Sequence, residues 1–261
     1  MKFVASLLAL SATATVAQDD GIRVIGGSEA DVGKYTWAVN LRNSPAARSF
    51  CGGSLIAPQY VLTAGHCVAG NKPPFVAIGS HFNNGTDDGQ QIAVEWAKAH
   101  PQYRDTTKGF DVAILKLVEP STFDPIKLKR DFINGGDDVR LLGWGRTAYP
   151  GDASHVLKEI DIKAIEMDEC TARLSQSPYY PNWVAQETHL CAGGEVDKAA
   201  CHGDSGGPLI VVSEEDDEES YALVGDVSAG HPCGKGFPDL FGRVSAVADF
   251  IDETSEGHEW V

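Results

Sequence analysis

The chain has 261 residues, 43% of them hydrophobic, which is enough for one large core or two small ones. Its 28 glycines and 13 prolines describe an ordinary globular composition. A formal net charge of −16 repels polyanions, and no zinc-type cysteine spacing, P-loop, HExxH or dinucleotide fingerprint occurs. Nucleic-acid partners, nucleotide or other cofactors and metal functions are set aside on these grounds.

Lys2 precedes an apolar run over residues 3–10 and a small-residue exit, TATVAQ, a pattern that reads as a secretory signal over residues 1–17 removed near Ala17. No later stretch approaches the ~20 apolar residues of a membrane span. A soluble, secreted, extracellular protein with no membrane partner is therefore expected. Export makes the six cysteines, Cys51, Cys67, Cys170, Cys191, Cys201 and Cys233, disulfide candidates. Six allow about 15 pairings, among which spacing does not choose. The NGT at Asn84 is a glycosylation sequon, to be read equally as an unmodified turn.

WAVNLR places Trp37, Val39 and Leu41 on one face of a strand. FVAIGS, FDVAILKL, VRLLGWG and YALVGDVSAG follow, separated by turn-rich gaps such as NNGTDDG and NGGDD. Many short strands with Gly, Pro and Asp punctuation predict an all-β sandwich or pair of barrels. A helix is expected only near the end, in VSAVADFIDE, where Val244, Val247, Phe250 and Ile251 recur at i, i+3, i+6 and i+7. The acidic run EEDDEE over residues 214–219 repels itself and predicts a solvated hairpin tip.

Three motifs carry chemistry together. GDSGGP surrounds Ser205 with glycines that let the backbone turn sharply and aim the Gly203 and Ser205 N–H groups at a developing oxyanion. A serine hydroxyl needs a base and something to orient that base. LTAGHC sets His66 beside Cys67, and FDVAILKL sets Asp111 at the head of an apolar strand, where a carboxylate is costly without a partner. Each is commonplace alone; the informative fact is their occurrence in the order His, Asp, Ser.

With RVIGG, CGGSLI, VLTAGHC, DVAILKL, GWG and CHGDSGGPL in this order, the chain resembles the chymotrypsin/trypsin family of serine endopeptidases from Arg23 to about Ile251. The resemblance implies two six-stranded antiparallel barrels, divided near residues 120–135, a cleft between them and a closing helix. It implies the disulfides Cys51–Cys67, Cys170–Cys191 and Cys201–Cys233. It casts Ser205 as nucleophile, His66 as base, Asp111 as its orienter, Ser228 as the serine that contacts that aspartate, and Gly203 with Ser205 as the oxyanion hole. It also implies a zymogen: residues 18–23 are an activation segment cleaved after Arg23, and the freed Val24 amine of the mature 24–261 domain pairs with Asp204. The implied partners are protein or peptide substrates and protease inhibitors, met by a monomer.

Several positions depart from the family pattern. Ala199 stands where trypsins carry the pocket-floor aspartate, while Asp239 follows Pro238 where glycine is usual. A carboxylate at Asp239 entering the same pocket predicts mixed specificity, with Arg and Lys accepted beside apolar side chains; one turned to solvent predicts an apolar pocket. Ala229, between Ser228 and Gly230, replaces a tryptophan wall, and Gly65 replaces an alanine. The family's calcium loop maps near residues 80–95, and Ser80 at its first acidic position predicts no calcium. These changes keep a second class open, the glucanase-inhibiting proteins of plant pathogens, which bind partners without catalysing. The complete triad favours the enzyme, and a lectin-like module leaves the triad order unexplained.

Overall fold

The computed structural model describes residues 25–215, 218–230 and 232–261. The expected signal and activation segments, with Arg23 and Val24, lie outside the described residues. The first half holds β1 (Ser28–Glu29), β2 (Ala38–Arg42), β3 (Ser49–Ala57), β4 (Tyr60–Thr63), β5 (Phe75–Ile78), β6 (Gln90–Ala99) and β7 (Ala113–Leu117). The second holds β8 (Lys127–Leu128), β9 (Asp138–Gly143), β10 (Lys158–Ile165), α1 (Met167–Leu174), β11 (His189–Gly193), β12 (Pro208–Glu215), β13 (Glu218–Ala229), β14 (Pro238–Arg243) and α2 (Ala248–Thr254).

Strands β2-β3-β4-β7-β6-β5 close into one antiparallel barrel. The second closes in the order β9-β10-β11-β14-β13-β12, with β12 pairing back onto β9. Short β1 lies against β10, and β8 runs parallel to β13. Closure leaves both barrels with an apolar interior. In β7, Ala113, Ile114, Leu115 and Leu117 are buried and Lys116 is not, because one face fills the barrel and neighbouring segments cover much of the other. Each Leu or Ile removed from water in this way contributes about 1.5–3 kcal/mol.

One apolar cluster runs from Val39, Leu55 and Leu115 of the first barrel through Trp144, Ile210 and Leu223 to Phe250 and Ile251 of α2. It therefore spans both halves. The final helix begins as a single 3-10 turn (Ser245–Val247) before α2, so of the residues expected on one helical face Val244 precedes the turn, Val247 lies in it, and Phe250 and Ile251 lie in α2. Helix α1 was not expected from the sequence: only Cys170 and Leu174 are buried, a single i,i+4 pair too short to make a periodic pattern. The acidic run belongs to the β12–β13 hairpin, with Glu215 opposite Glu218 in register.

Candidate active site

The first barrel supplies His66 and Asp111. His66 lies on a 3-10 turn, Gly65–Cys67, fastened to β3 by the Cys51–Cys67 disulfide. Asp111 precedes β7 and is 1% exposed, yet its burial is met by three donors. The His66 N–H donates to Oδ1 at 2.8 Å, His66 Nδ1 lies 2.8 Å from Oδ2, and Ser228 Oγ donates to Oδ2 at 2.5 Å. The Nδ1–carboxylate contact places the proton on Nδ1 and leaves Nε2 free to act as a base.

Ser205 comes from the second barrel, in the turn before β12. Its carbonyl accepts the Gly52 N–H at 2.7 Å, which ties the turn to β3. Among the described residues no hydrogen bond joins Ser205 Oγ to His66 Nε2, which lies 3.8 Å from Cys67 Sγ. In ligand-free hydrolases this contact is commonly long and tightens when substrate binds. Gly203 has φ +102°, a conformation that a side chain resists, and it turns the chain just ahead of the serine.

Asp204 points the other way, wholly buried. Its Oδ1 accepts the Gly145 N–H at 2.7 Å and its Oδ2 the Cys201 N–H at 2.8 Å. The GWG motif makes room for it: a Cβ on Gly143 or Gly145 would stand 2.0 or 2.3 Å from its oxygens. Burial pushes its carboxyl up to about 6, against the pull of those two N–H groups. Ile25, where the described chain begins, packs with the Cys201–Cys233 disulfide in the same region. The third disulfide, Cys170–Cys191, pins α1 to β11. All three pairings are those the resemblance implies.

Beside Ser205 opens a cavity of about 260 Å³, lined among others by Tyr149, Tyr179, Ala200, Ala229, Gly230 and Asp239. Asp239 is 2% exposed, so the solvent-facing placement does not hold. Its burial raises its carboxyl well above the ordinary range, offset in part by the Ala200 N–H donating to Oδ2 at 2.7 Å. Ala199 is a correction: it is absent from the cavity lining and buried instead, its N–H donating to the Ile25 carbonyl at 3.2 Å.

Sequence reasoning missed Tyr149 and Tyr179, exposed aromatics from two distant loops that meet only in the fold. It also missed Asp226 of β13, 0% exposed with neither side-chain oxygen hydrogen-bonded. A carboxylate inside the apolar run YALVGDV was the available signal, the same one that marked Asp111. In the loop with the calcium position, the Arg42 guanidinium donates to the carbonyl oxygens of Gly85 and Phe82 and to Ser80 Oγ. Asn84, in that loop, is exposed.

Two closed barrels with His66, Asp111 and Ser205 drawn to the cleft between them define a serine-hydrolase-type scaffold. A sequence-family model, trypsin, matches residues 24–251, and the chain belongs to the trypsin family. It is 38% identical to glucanase inhibitor protein 3 of Phytophthora infestans, over 97% of this chain and 96% of the relative. It is 34% identical to glucanase inhibitor protein 2 of Phytophthora sojae, over 97% and 88%. Trypsin 5G1 of Aedes aegypti is 35% identical over 89% and 85%. Among the described residues no helix is long and apolar enough to cross a membrane.

Proposed function

We propose that the chain is a secreted, monomeric, protein-binding member of the trypsin family that inhibits a glucan-cleaving hydrolase by docking on it with the rim of its cleft. The observation that carries this reading is the near full-length match to two proteins named as glucanase inhibitors. Ala229 supports it, since a small side chain on that wall offers little apolar surface to a bound peptide. Exposed Tyr149 and Tyr179 flank the same cavity and provide aromatic area of the kind that anchors protein interfaces.

A second reading, a serine endopeptidase, is favoured by one specific observation: all three triad residues are present, and His66 and Ser228 are hydrogen-bonded to Asp111. In it, Ser205 Oγ attacks the scissile carbonyl as His66 Nε2 takes its proton, and Asp111 steadies the imidazolium. The Gly203 and Ser205 N–H groups stabilise the oxyanion, each donor worth about 10²–10³ in rate. His66 returns the proton to the leaving amine, and water then resolves the acyl-enzyme. Asp239 gives mixed specificity for basic and apolar side chains. Cleavage after Arg23 frees Val24 to pair with Asp204.

One experiment separates the two. The protein cleaved after Arg23 is treated with a fluorophosphonate probe and, in parallel, titrated into a glucanase. The inhibitor reading expects stoichiometric loss of glucanase activity, equal for wild type and Ser205→Ala. The endopeptidase reading expects Ser205 labelling and a turnover number lowered about 10⁶-fold by Ser205→Ala. Labelling without glucanase inhibition would overturn the first reading.

A further inference from the structure

Arg42 ends β2, and its side chain is wholly buried, 0% exposed, beneath the 79–89 loop. The guanidinium donates to the carbonyl oxygens of Pro45 at 2.9 Å, Phe82 at 3.0 Å and Gly85 at 2.5 Å. It donates further to Asn40 Oδ1 at 3.1 Å and to Ser80 Oγ at 3.3 Å. Burial works against the charged form of Arg42 and lowers its pKa, and the nearby Asp88 carboxylate offsets this in part. Its carboxylate accepts Ser80 Oγ at 2.7 Å and the His81 N–H at 2.6 Å, closing the loop on itself.

Carbonyls, a hydroxyl and a carboxylate converging on a buried point are the donors that a hard divalent cation collects. Here a planar, permanently charged group with five fixed N–H bonds meets the carbonyls and the hydroxyl from the protein's own strand, with the carboxylate nearby. We propose that Arg42 is an internal cation that takes the place of a bound metal in the 79–89 loop. The loop keeps its shape without calcium.

The consequence reaches the cleft. The His81 carbonyl accepts Trp144 Nε1 at 3.0 Å and the Leu157 N–H at 2.8 Å, and the Asn83 N–H donates to His155 O at 2.9 Å. Trp144 sits between Gly143 and Gly145, which border Asp204. The loop thus braces the segment behind the Ser205 turn, and Arg42 braces the loop.

The test needs no knowledge of activity. Thermal unfolding of the wild-type protein is expected to give the same Tm in EDTA and in millimolar calcium, and terbium titration to give no saturable sensitised emission. A calcium-dependent rise in Tm, or saturable terbium binding abolished by Asp88→Asn, overturns the proposal. Arg42→Met, which keeps the length and removes the charge, is expected to lower Tm by roughly 4–10 °C, as loss of several hydrogen bonds to a charged group implies. It should also open the 79–89 loop to limited proteolysis, with Arg42→Lys intermediate. An Arg42→Met protein with wild-type Tm and loop protection overturns the proposal. If that variant does not fold, the two wild-type measurements decide alone.

Discussion

Asp239 Oδ2 accepts the Ala200 N–H at 2.7 Å, while Oδ1 lies 2.5 Å from where a Cβ on Gly230 would stand. The acid is therefore part of the cavity wall, and only glycine at position 230 lets it stand there. Burial keeps the neutral form of Asp239 favoured well above the usual carboxylate range. A cationic ligand needs the anion, so its binding must expel a proton. Benzamidine affinity is expected to rise with pH up to the raised pKa, with proton release visible by calorimetry in buffers of different ionisation enthalpy. Asp239→Asn should weaken binding about 30-fold or more and flatten the pH dependence, as removal of one partner of a buried charge pair does.

Burial raises the Asp226 carboxyl well above the ordinary range, and Asp111 nearby makes its ionisation harder still, against only a small pull from its own backbone N–H. Its folded pKa lies above the unfolded one, so the stabilisation is complete at pH below the unfolded value and fades as pH rises through the folded value. Asp226→Asn cannot titrate. The Tm difference, Asn minus wild type, should therefore grow from pH 4 towards pH 8. Asp226→Val, which also removes the unsatisfied oxygens, should stabilise at pH 8 by about 1–3 kcal/mol in urea unfolding. A pH-independent difference would mean that Asp226 does not titrate on folding.

The Cys170–Cys191 bridge holds α1 against β11, and Tyr180, Trp183 and Leu240 pack on it, with Ala229 at the edge of the same cluster. Replacing both cysteines by serine should cost about 3 kcal/mol, because the sulfurs close a chain segment of moderate length. The loosened cluster adjoins the cavity wall, so benzamidine affinity should fall as well. Chemical denaturation and calorimetry on one preparation would check both.

Asn84 stands exposed in the loop that Arg42 braces. Secreted from a eukaryotic host, the protein should carry one N-glycan there, seen as a mass loss on glycosidase treatment and absent in Asn84→Gln. Equal masses for both proteins would leave Asn84 an unmodified turn residue.

The strands were legible from short-range rules, whereas His66, Asp111 and Ser205 stood out only through their order along the whole chain and the motifs around them. A short apolar run such as AILKL between turn signals suits a covered strand, and a carboxylate at its head needs a donor, here His66 and Ser228. The cavity was less legible. Ala199 and Ala200 are adjacent and chemically alike, and which one meets Asp239 depends on the β11–β14 register and the path of the preceding turn. Arg42 was hidden for a related reason. The sequence shows a basic residue ending a strand, and nothing local says that three carbonyls from two separate loops will close over it.

Helix α2 follows the second barrel in sequence but rests on the first. Phe250 meets the His100 ring at 4.8 Å and Lys98 Nζ at 5.7 Å. Beyond it, the Val261 N–H donates to Leu128 O at 2.8 Å, and Trp260 bridges Leu128 in the connection between barrels. The final segment thus works as a latch across the two halves that supply His66 and Ser205. During synthesis, these contacts must wait until that segment has cleared the ribosome. A chain released early would carry every residue of the triad and lack the clasp that joins its two sources.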